Sequence, residues 1–289
     1  MKGIILAGGK GTRLHPLTLS VSKQLMPIYD KPMIYYPLST LISSGIREIL
    51  IISTPEDLPL FERLLGDGNQ WGCIFMYKEQ SSPKGIAEAF LIGEEFIQKD
   101  TVALILGDNL FYGQFINTEF ASLKNIKGGH IFAYPVKDPK RYGVIEFDSM
   151  MNVVGITEKP EKPKSSYVVP GVYFYDTTVI EKAKKLRPSS REELEITELN
   201  LAYLEQNALK VTPMDKNDKW LDTGTVESLL EASQFVKKVQ TDHNILIGSP
   251  ELAAFNSGAI TREKLKTLSK ELSDSAYGKA LKKYVSNAH

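Results

Sequence analysis

Four short strand-like runs, KGIILA, REILIIST, CIFMYKEQ and TVALILGD, punctuate the first 108 residues. Helical text lies between them: PMIYYPLSTLISSG (32–45), with Pro32 near its start and Gly45 as a stop, then EDLPLFERLLG and GIAEAFLIGEEFI (85–97). Strands that alternate with helices are joined by right-handed crossovers, which build a parallel sheet with both faces covered. The pattern predicts an α/β fold, Rossmann-like, with a mainly parallel sheet flanked by helices.

After Gly128 the texture changes. HIFAYPV, YGVIEFD, NVVGITEK and YVVPGVYFYD are closely spaced strand candidates rich in Val, Ile, Tyr and Phe, and they predict a β-rich insertion. Helical character returns in TTVIEKAKKL and LEITELNLAYLEQ. A strand, ALKVTPM, a loop, KWLDTGT, and a helix from Val226 to about Val239 follow. Two more charged helices are expected at 261–272 and 276–286. One compact domain, 1–240, with a helical extension, 241–289, fits this order better than two independent units. Within the domain the change of texture separates about 1–127 from about 128–225.

The single cysteine, Cys73, has no intrachain partner, which points to a reducing, cytoplasmic setting. Thirty-five basic residues balance 35 acidic ones, so no broad field draws the chain to nucleic acid or to an anionic membrane. The apolar run Gly3–Ala7 is too short for a signal peptide, and no stretch approaches the roughly 20 apolar residues of a spanning helix. An anionic small substrate would have to be met by locally placed Lys and Arg.

GIILAGGKGTRLHPLT supplies such a place. Gly8, Gly9 and Gly11 let backbone N–H groups approach an anion without a Cβ in the way, and Arg13 adds a fixed positive fork. No G-x-x-x-x-G-K-[ST] match exists, and the dinucleotide pattern G-x-G-x-x-G meets Leu14 where its third glycine belongs. A plain strand–helix turn would use the same glycines. Lys23 and Gln24 follow in a turn-rich loop, where Lys23 suits a phosphate whose charge changes during reaction or stands as a solvated surface lysine. Asp108 ends an apolar strand, a costly place for a carboxylate without a partner, and Asp222 lies in a similar setting in KWLDTGT. Two such acids in one crevice could share Mg²⁺, although each alone also serves as a cap or turn former.

These stretches, with SKQLMPIYDKPMIYYPLSTL, LGDGNQWG, ILGDNLFYG, RYGVIEF, EKP, ELEIT and WLDTGT, run in order from residue 3 to about 240. As a set they resemble the sugar-nucleotide pyrophosphorylases, whose fold is of the nucleotidyltransferase A type. Lys23-Gln24 is similar to the thymidylyl-transferring branch, where bacterial uridylyl-transferring members tend to have Lys-Glu. The resemblance implies direct in-line transfer from a nucleoside triphosphate, here dTTP, to glucose 1-phosphate, giving dTDP-glucose and pyrophosphate with Mg²⁺. It also implies a place in dTDP-rhamnose biosynthesis and a homotetramer. Rival readings are a uridylyl- or cytidylyltransferase on the same scaffold and a non-catalytic sugar-nucleotide-binding regulator. No Ser–His–Asp or Cys–His arrangement is evident, which fits a displacement without a protein nucleophile.

By match to the family motifs, Gly8, Gly9, Gly11, Thr12 and Arg13 would cradle the triphosphate, with Arg13 stabilising the transition state and Lys23 touching the phosphates where the bond breaks. Gln24 and Gln80 would read the base, and Gly85 would allow close approach of the nucleoside. Asp108 and Asp222 would hold Mg²⁺. Tyr142, Gly143, Glu158, Lys159 and Val169, in the β-rich insertion, would form the sugar-phosphate site, which makes the insertion a sugar-binding one, with Arg191 pairing with the phosphate and Trp220 walling the site. Tyr173, Phe174 and Tyr175 read as strand packing. Two departures stand out. Pro170 removes a backbone donor near the sugar site. Phe255 and Asn256 occupy positions where the family commonly has Tyr-Arg at a second, regulatory nucleotide site, so anion binding there should be weaker.

Overall fold

Lys2–Leu6 is buried at every position, as a strand covered on both faces must be. In the computed structural model, which describes residues 1–9 and 11–287, this strand lies inside a ten-stranded sheet. It pairs in parallel with Glu48–Ser53 on one side and Val102–Leu106 on the other, and Glu48–Ser53 pairs in parallel with the edge strand Ile74–Glu79. Beyond Val102–Leu106 the sheet changes sense. Val172–Tyr175 runs antiparallel to it and to Gly129–Pro135, and the wing continues through Tyr167–Val168 and Gly143–Phe147 to Val153–Glu158. The β-rich stretch therefore extends the sheet that the first half begins. Leu209–Pro213 joins it in parallel with Gly129–Pro135.

Helices cover both faces. Tyr35–Ser43 and Leu58–Leu65 bury Leu38, Leu41, Ile42, Phe61 and Leu65 with the odd-numbered strand residues Ile5, Ile49, Ile51 and Ile105. Ile4, Leu50, Ile52 and Leu104 face the other layer, with Phe90, Ile97, Leu199 and Tyr203. The segment 85–97 forms two short helices, Glu88–Ile92 and Glu94–Ile97, instead of the single one expected. They meet at Gly93, where a Cβ would lie 3.2 Å from Ile4 Cδ1 and 3.3 Å from Leu50 Cδ2, so the chain presses close to the sheet at the break.

Several elements were not expected, among them the helix Gln114–Ser122 and the two-residue strands Pro27–Ile28 and Lys31–Pro32. Asn109–Tyr112 is a strand, and KWLD, read as loop, is its antiparallel partner Lys219–Asp222, with Asp222 opposite Asn109. Pro250–Asn256 is a helix, N-capped by the Ser249 side chain, and it precedes the helices Arg262–Glu271 and Ala276–Asn287. The long helix Val226–His243 starts with a reciprocal cap between Thr225 and Ser228. No helix among the described residues is long and apolar enough to cross a membrane.

Candidate active site

Three sheet features converge on one edge: the turn after Lys2–Leu6, the turn after Val102–Leu106, and the two-stranded sheet of Asn109–Tyr112 with Lys219–Asp222. In the first turn Gly9 and Gly11 have φ of 99° and 57°, the left-handed region that favours glycine. Thr18 donates to the Gly11 carbonyl at 2.8 Å, and buried Leu14 anchors the single helical turn Thr12–Leu14. Arg13 thus projects from a fixed base. Lys10 lies outside the described residues.

The small sheet brings the two acids together. Thr223 donates from its hydroxyl and its N–H to the Asp108 carbonyl at 2.8 and 3.2 Å, which ties the chain after Asp222 to the chain at Asp108. Lys23, buried, pairs with Asp108 at 2.5 Å. Asn109 donates to Asp108 at 2.8 Å, while its own carbonyl accepts from Trp220 at 2.6 Å and from the Gly171 N–H at 3.1 Å. Asp222 accepts from the Tyr142 hydroxyl at 3.1 Å and pairs with Arg141 at 3.5 Å. A Cβ on Gly224 would lie 3.1 Å from an Asp222 oxygen, 3.1 Å from an Arg141 nitrogen and 3.2 Å from an Arg13 nitrogen, so two guanidinium groups flank one carboxylate.

The two carboxyls are driven apart electrostatically. Burial disfavours ionised Asp108, but the Lys23 ammonium and the Asn109 amide outweigh it and hold its carboxyl below the ordinary range. Burial and then the Asp108 charge push Asp222 up, against the pull of Lys23, Tyr142 and Arg141. Each acid leans on cationic or donor side chains, which is the demand a bound cation would answer. Two carboxylates with room for phosphate oxygens suit a hard divalent ion. Among the described residues no cluster of three His, Cys, Asp or Glu forms an all-protein cage.

Two cavities meet at this point. One of about 560 Å³ is lined by Arg13, Asp108, Tyr142, Gly143, Glu158, Lys159, Val169, Trp220 and Asp222, all expected, and by Asn109, Lys140, Arg141, Thr197 and Asn200, which were not. The other, about 710 Å³, is lined by Gly9, Lys23 and Gln80 with serines on both sides. The Lys23–Asp108 ion pair stands between them, one partner in each lining.

The remaining expected residues fall around these walls. Gln24 donates to the Gly8 carbonyl at 3.4 Å, and a Cβ on Gly8 would lie 2.9 Å from the Gln80 side-chain oxygen, so both glutamines flank Gly8. Gln80 is held by Glu88 at 2.7 Å and by the Gly85 carbonyl at 3.3 Å. Gly85 has φ of 101°, and a Cβ there would meet the Leu194 carbonyl at 2.3 Å, so the protein backbone itself requires this glycine. Glu158 accepts from Thr197 at 2.5 Å and pairs with Lys159 at 3.3 Å. Arg191 lies outside the lining of either cavity, paired with Glu195 at 2.7 Å and with Glu158 at 3.5 Å.

Pro170 leaves no gap in the hydrogen bonding. Its neighbours Val169, Gly171 and Val172 donate to Gly143, Asn109 and Pro170 itself. Phe174 and Tyr175 pack in the core as expected, and Tyr173 also lines the 560 Å³ cavity. Asn256 lines a third cavity, about 500 Å³, beside Ser249 and Gly113.

The sequence from residue 2 to 239 matches the nucleotidyl transferase family. A glucose-1-phosphate thymidylyltransferase of Mycolicibacterium smegmatis is 54% identical over 96% of this chain and 96% of its own length. One from Neisseria gonorrhoeae is 53% identical over 97% and 98%. A solved Bacillus anthracis chain, provisionally given the same activity name and bound to sucrose, superposes with a TM-score of 0.75 at 39% identity, covering 81% of this chain and 94% of its own. With the family matched over most of its length, and with relatives this similar end to end, the chain belongs to the nucleotidyl transferase family.

Proposed function

We propose that this protein transfers a deoxythymidylyl group from dTTP to glucose 1-phosphate, giving dTDP-glucose and pyrophosphate. The carrying observation is the Lys23–Asp108 ion pair at the junction of two cavities, one reached by the glycine turn at Gly9 and by Gln80, the other ringed by charges. The names of the relatives at 54% and 53% identity supply the substrate pair. In this reading residues 1–127 hold the nucleotide, 128–225 the sugar phosphate, and 241–289 form an extension. dTTP lies along Gly8, Gly9, Gly11 and Thr12, with its base toward Gln24, Gln80 and Gly85. Glucose 1-phosphate lies against Tyr142, Gly143, Glu158, Lys159, Val169 and Trp220. Arg191 joins its phosphate by exchanging one of its carboxylate partners for it.

A phosphate oxygen of glucose 1-phosphate attacks the α-phosphorus in line. The new O–P bond forms as the bond to the bridging oxygen breaks, and pyrophosphate leaves with that electron pair. Proximity and charge neutralisation do the work, with no protein nucleophile. Lys23 turns from Asp108 to the phosphates as negative charge moves to the leaving group, and Arg13, beside Asp222, stabilises the same charge from the other side. Asp108 and Asp222 would hold Mg²⁺, which neutralises phosphate charge when bound. A single buried cysteine suits the cytoplasm, and a homotetramer follows the family resemblance.

Pyrophosphate release from glucose 1-phosphate and Mg²⁺, measured with dTTP, UTP and CTP in turn, tests the reading. dTTP should be preferred, and the thymine methyl accounts for about 10–200-fold at most. A faster reaction with UTP or CTP replaces thymidylyl transfer by uridylyl or cytidylyl transfer. No release with any of the three leaves a binding protein.

A further inference from the structure

Asn200 is 1% exposed, and its side-chain nitrogen has no hydrogen-bond partner. A buried amide donor left alone is a rare state, tolerated where something else completes it. Asn200 lies on the helix Ile196–Leu204, one turn after Ile196 and Thr197, and all three line the 560 Å³ cavity.

The amide is not free to turn. Its carbonyl accepts from the Tyr175 hydroxyl at 2.5 Å. Tyr175 is itself fixed: it is fully buried, stacked on Tyr203 at 5.1 Å and edge-on to Phe90 at 5.4 Å. Exchanging the two ends of the amide would set an N–H donor against the hydroxyl oxygen and leave the carbonyl alone. With the carbonyl held, the planar group sends its two N–H bonds away from Tyr175.

What completes the donor must be an acceptor within hydrogen-bond reach. Arg13, Lys140, Arg141 and Lys159 in the same lining already supply cationic partners for a phosphate. Asn200 adds an uncharged donor to a lining that also holds Ile86, Leu106 and Val169, the setting in which a hydroxyl is recognised by a hydrogen bond. We propose that the Asn200 side-chain nitrogen donates to one hydroxyl of the bound sugar and makes that hydroxyl a requirement of the substrate. This rests on the sugar phosphate occupying the 560 Å³ cavity as proposed above.

The test compares glucose 1-phosphate with its 2-, 3-, 4- and 6-deoxy analogues in the wild type and in Asn200→Leu, by kcat/KM with dTTP and by calorimetric binding of each sugar phosphate. One analogue should fall at least tenfold below glucose 1-phosphate in the wild type. In Asn200→Leu, glucose 1-phosphate should drop to about that analogue's level, with their ratio within threefold of one and the other ratios unchanged. If Asn200→Leu keeps every wild-type ratio, or lowers all five substrates alike, the hydrogen bond does not exist.

Tyr175→Phe frees the amide while leaving the donor, and carries the same comparison should Asn200→Leu fail to fold. It should raise KM for glucose 1-phosphate three- to tenfold and shrink the same single ratio. An unchanged KM and ratio would overturn the proposal from that side. Binding ratios that collapse as expected in a protein without turnover would sink the reaction and keep the hydrogen bond. Turnover with intact ratios would do the reverse.

Discussion

The cavity that holds Asp108 and Asp222 encloses about 560 Å³, and the one that holds Asn256 about 500 Å³. Size does not separate them. The first is lined by Arg13, Lys140, Arg141, Lys159, Asp108, Glu158 and Asp222, whereas the described lining of the second contains no Asp, Glu, Lys or Arg. Charge is present near the second cavity, but behind its wall. Ser249, in the lining, shares the buried Glu251 carboxylate with the Tyr277 hydroxyl. Lys31, also buried, pairs with Asp30 and stands 5.2 Å from the centre of the Tyr36 ring. In the first cavity ions face the space a ligand would fill, and in the second they hold elements together. A phosphate brought into the second would lose water without meeting a cation.

The largest effect that could break this contrast is at Arg13. Arg13→Ala should lower kcat about 100- to 1,000-fold, the usual effect of removing one donor aimed at developing charge. Thermal stability should hold, because the side chain is exposed and its turn is anchored by Leu14. Near-normal turnover would mean that the charges of the first cavity are also structural. Gly171→Ala is the next test. A Cβ there would lie 2.6 Å from the Asn109 carbonyl oxygen and 2.6 Å from Leu106 Cδ1. Asn109 would be pushed off Trp220 and would release its hold on Asp108. Steady-state assays should read a loss of about 10- to 100-fold, the range for disturbing a group that orients a carboxylate in the role proposed above for Asp108.

How much of this was legible in the sequence depends on the range of the contacts involved. The parallel half could be read because Lys2–Leu6 and Val102–Leu106 are apolar on both faces, a pattern that local text carries. Asp108 and Asp222 could be picked out as acids at the ends of apolar runs. Their neighbourhood could not be derived from spacing, because it is made by a four-residue strand, Asn109–Tyr112, that starts directly after the two-residue turn Gly107–Asp108. Its text, NLFY, sets apolar residues side by side, so no alternation declares a strand. Arg141, Asn109 and Asn200 were missed for a related reason. Each is an ordinary polar residue in its own segment and acquires a role only when a distant segment arrives: Asp222 for Arg141, Trp220 for Asn109, Tyr175 for Asn200. The break at Gly93 belongs to the same class, since the sheet beneath it dictates the approach. The Pro250–Asn256 helix, by contrast, carried its signal openly in Ser249-Pro250, a cap followed by a proline in the first turn.

A smaller effect sharpens the contrast from the other side. Tyr277→Phe removes a hydroxyl that donates to the Glu251 carboxylate and lies 2.7 Å from the Ser249 hydroxyl. Denaturant unfolding should register a loss of about 1–3 kcal/mol, the range for leaving a buried polar group short of a partner. Turnover should stay within about twofold, since nothing in this network lines the first cavity. A large fall in kcat with stability intact would make Glu251 and Tyr277 part of the working machinery instead.

The smallest expected effect is the gain of a charge where the second cavity has none. Asn256→Arg places a guanidinium in the lining beside Ser249 and Gly113. A bidentate cation facing a diphosphate is a charge-assisted contact, so the affinity for a thymidine diphospho-sugar should rise about tenfold. The gain should shrink as salt is added, because a charge on an open cavity wall is screened. Calorimetry on a parent chain already carrying Arg13→Ala separates this binding from that at the first cavity. A parent that binds as tightly as its Asn256→Arg derivative would show that a neutral lining suffices. The difference between the two cavities would then lie in shape and backbone donors, with charge placement playing no part.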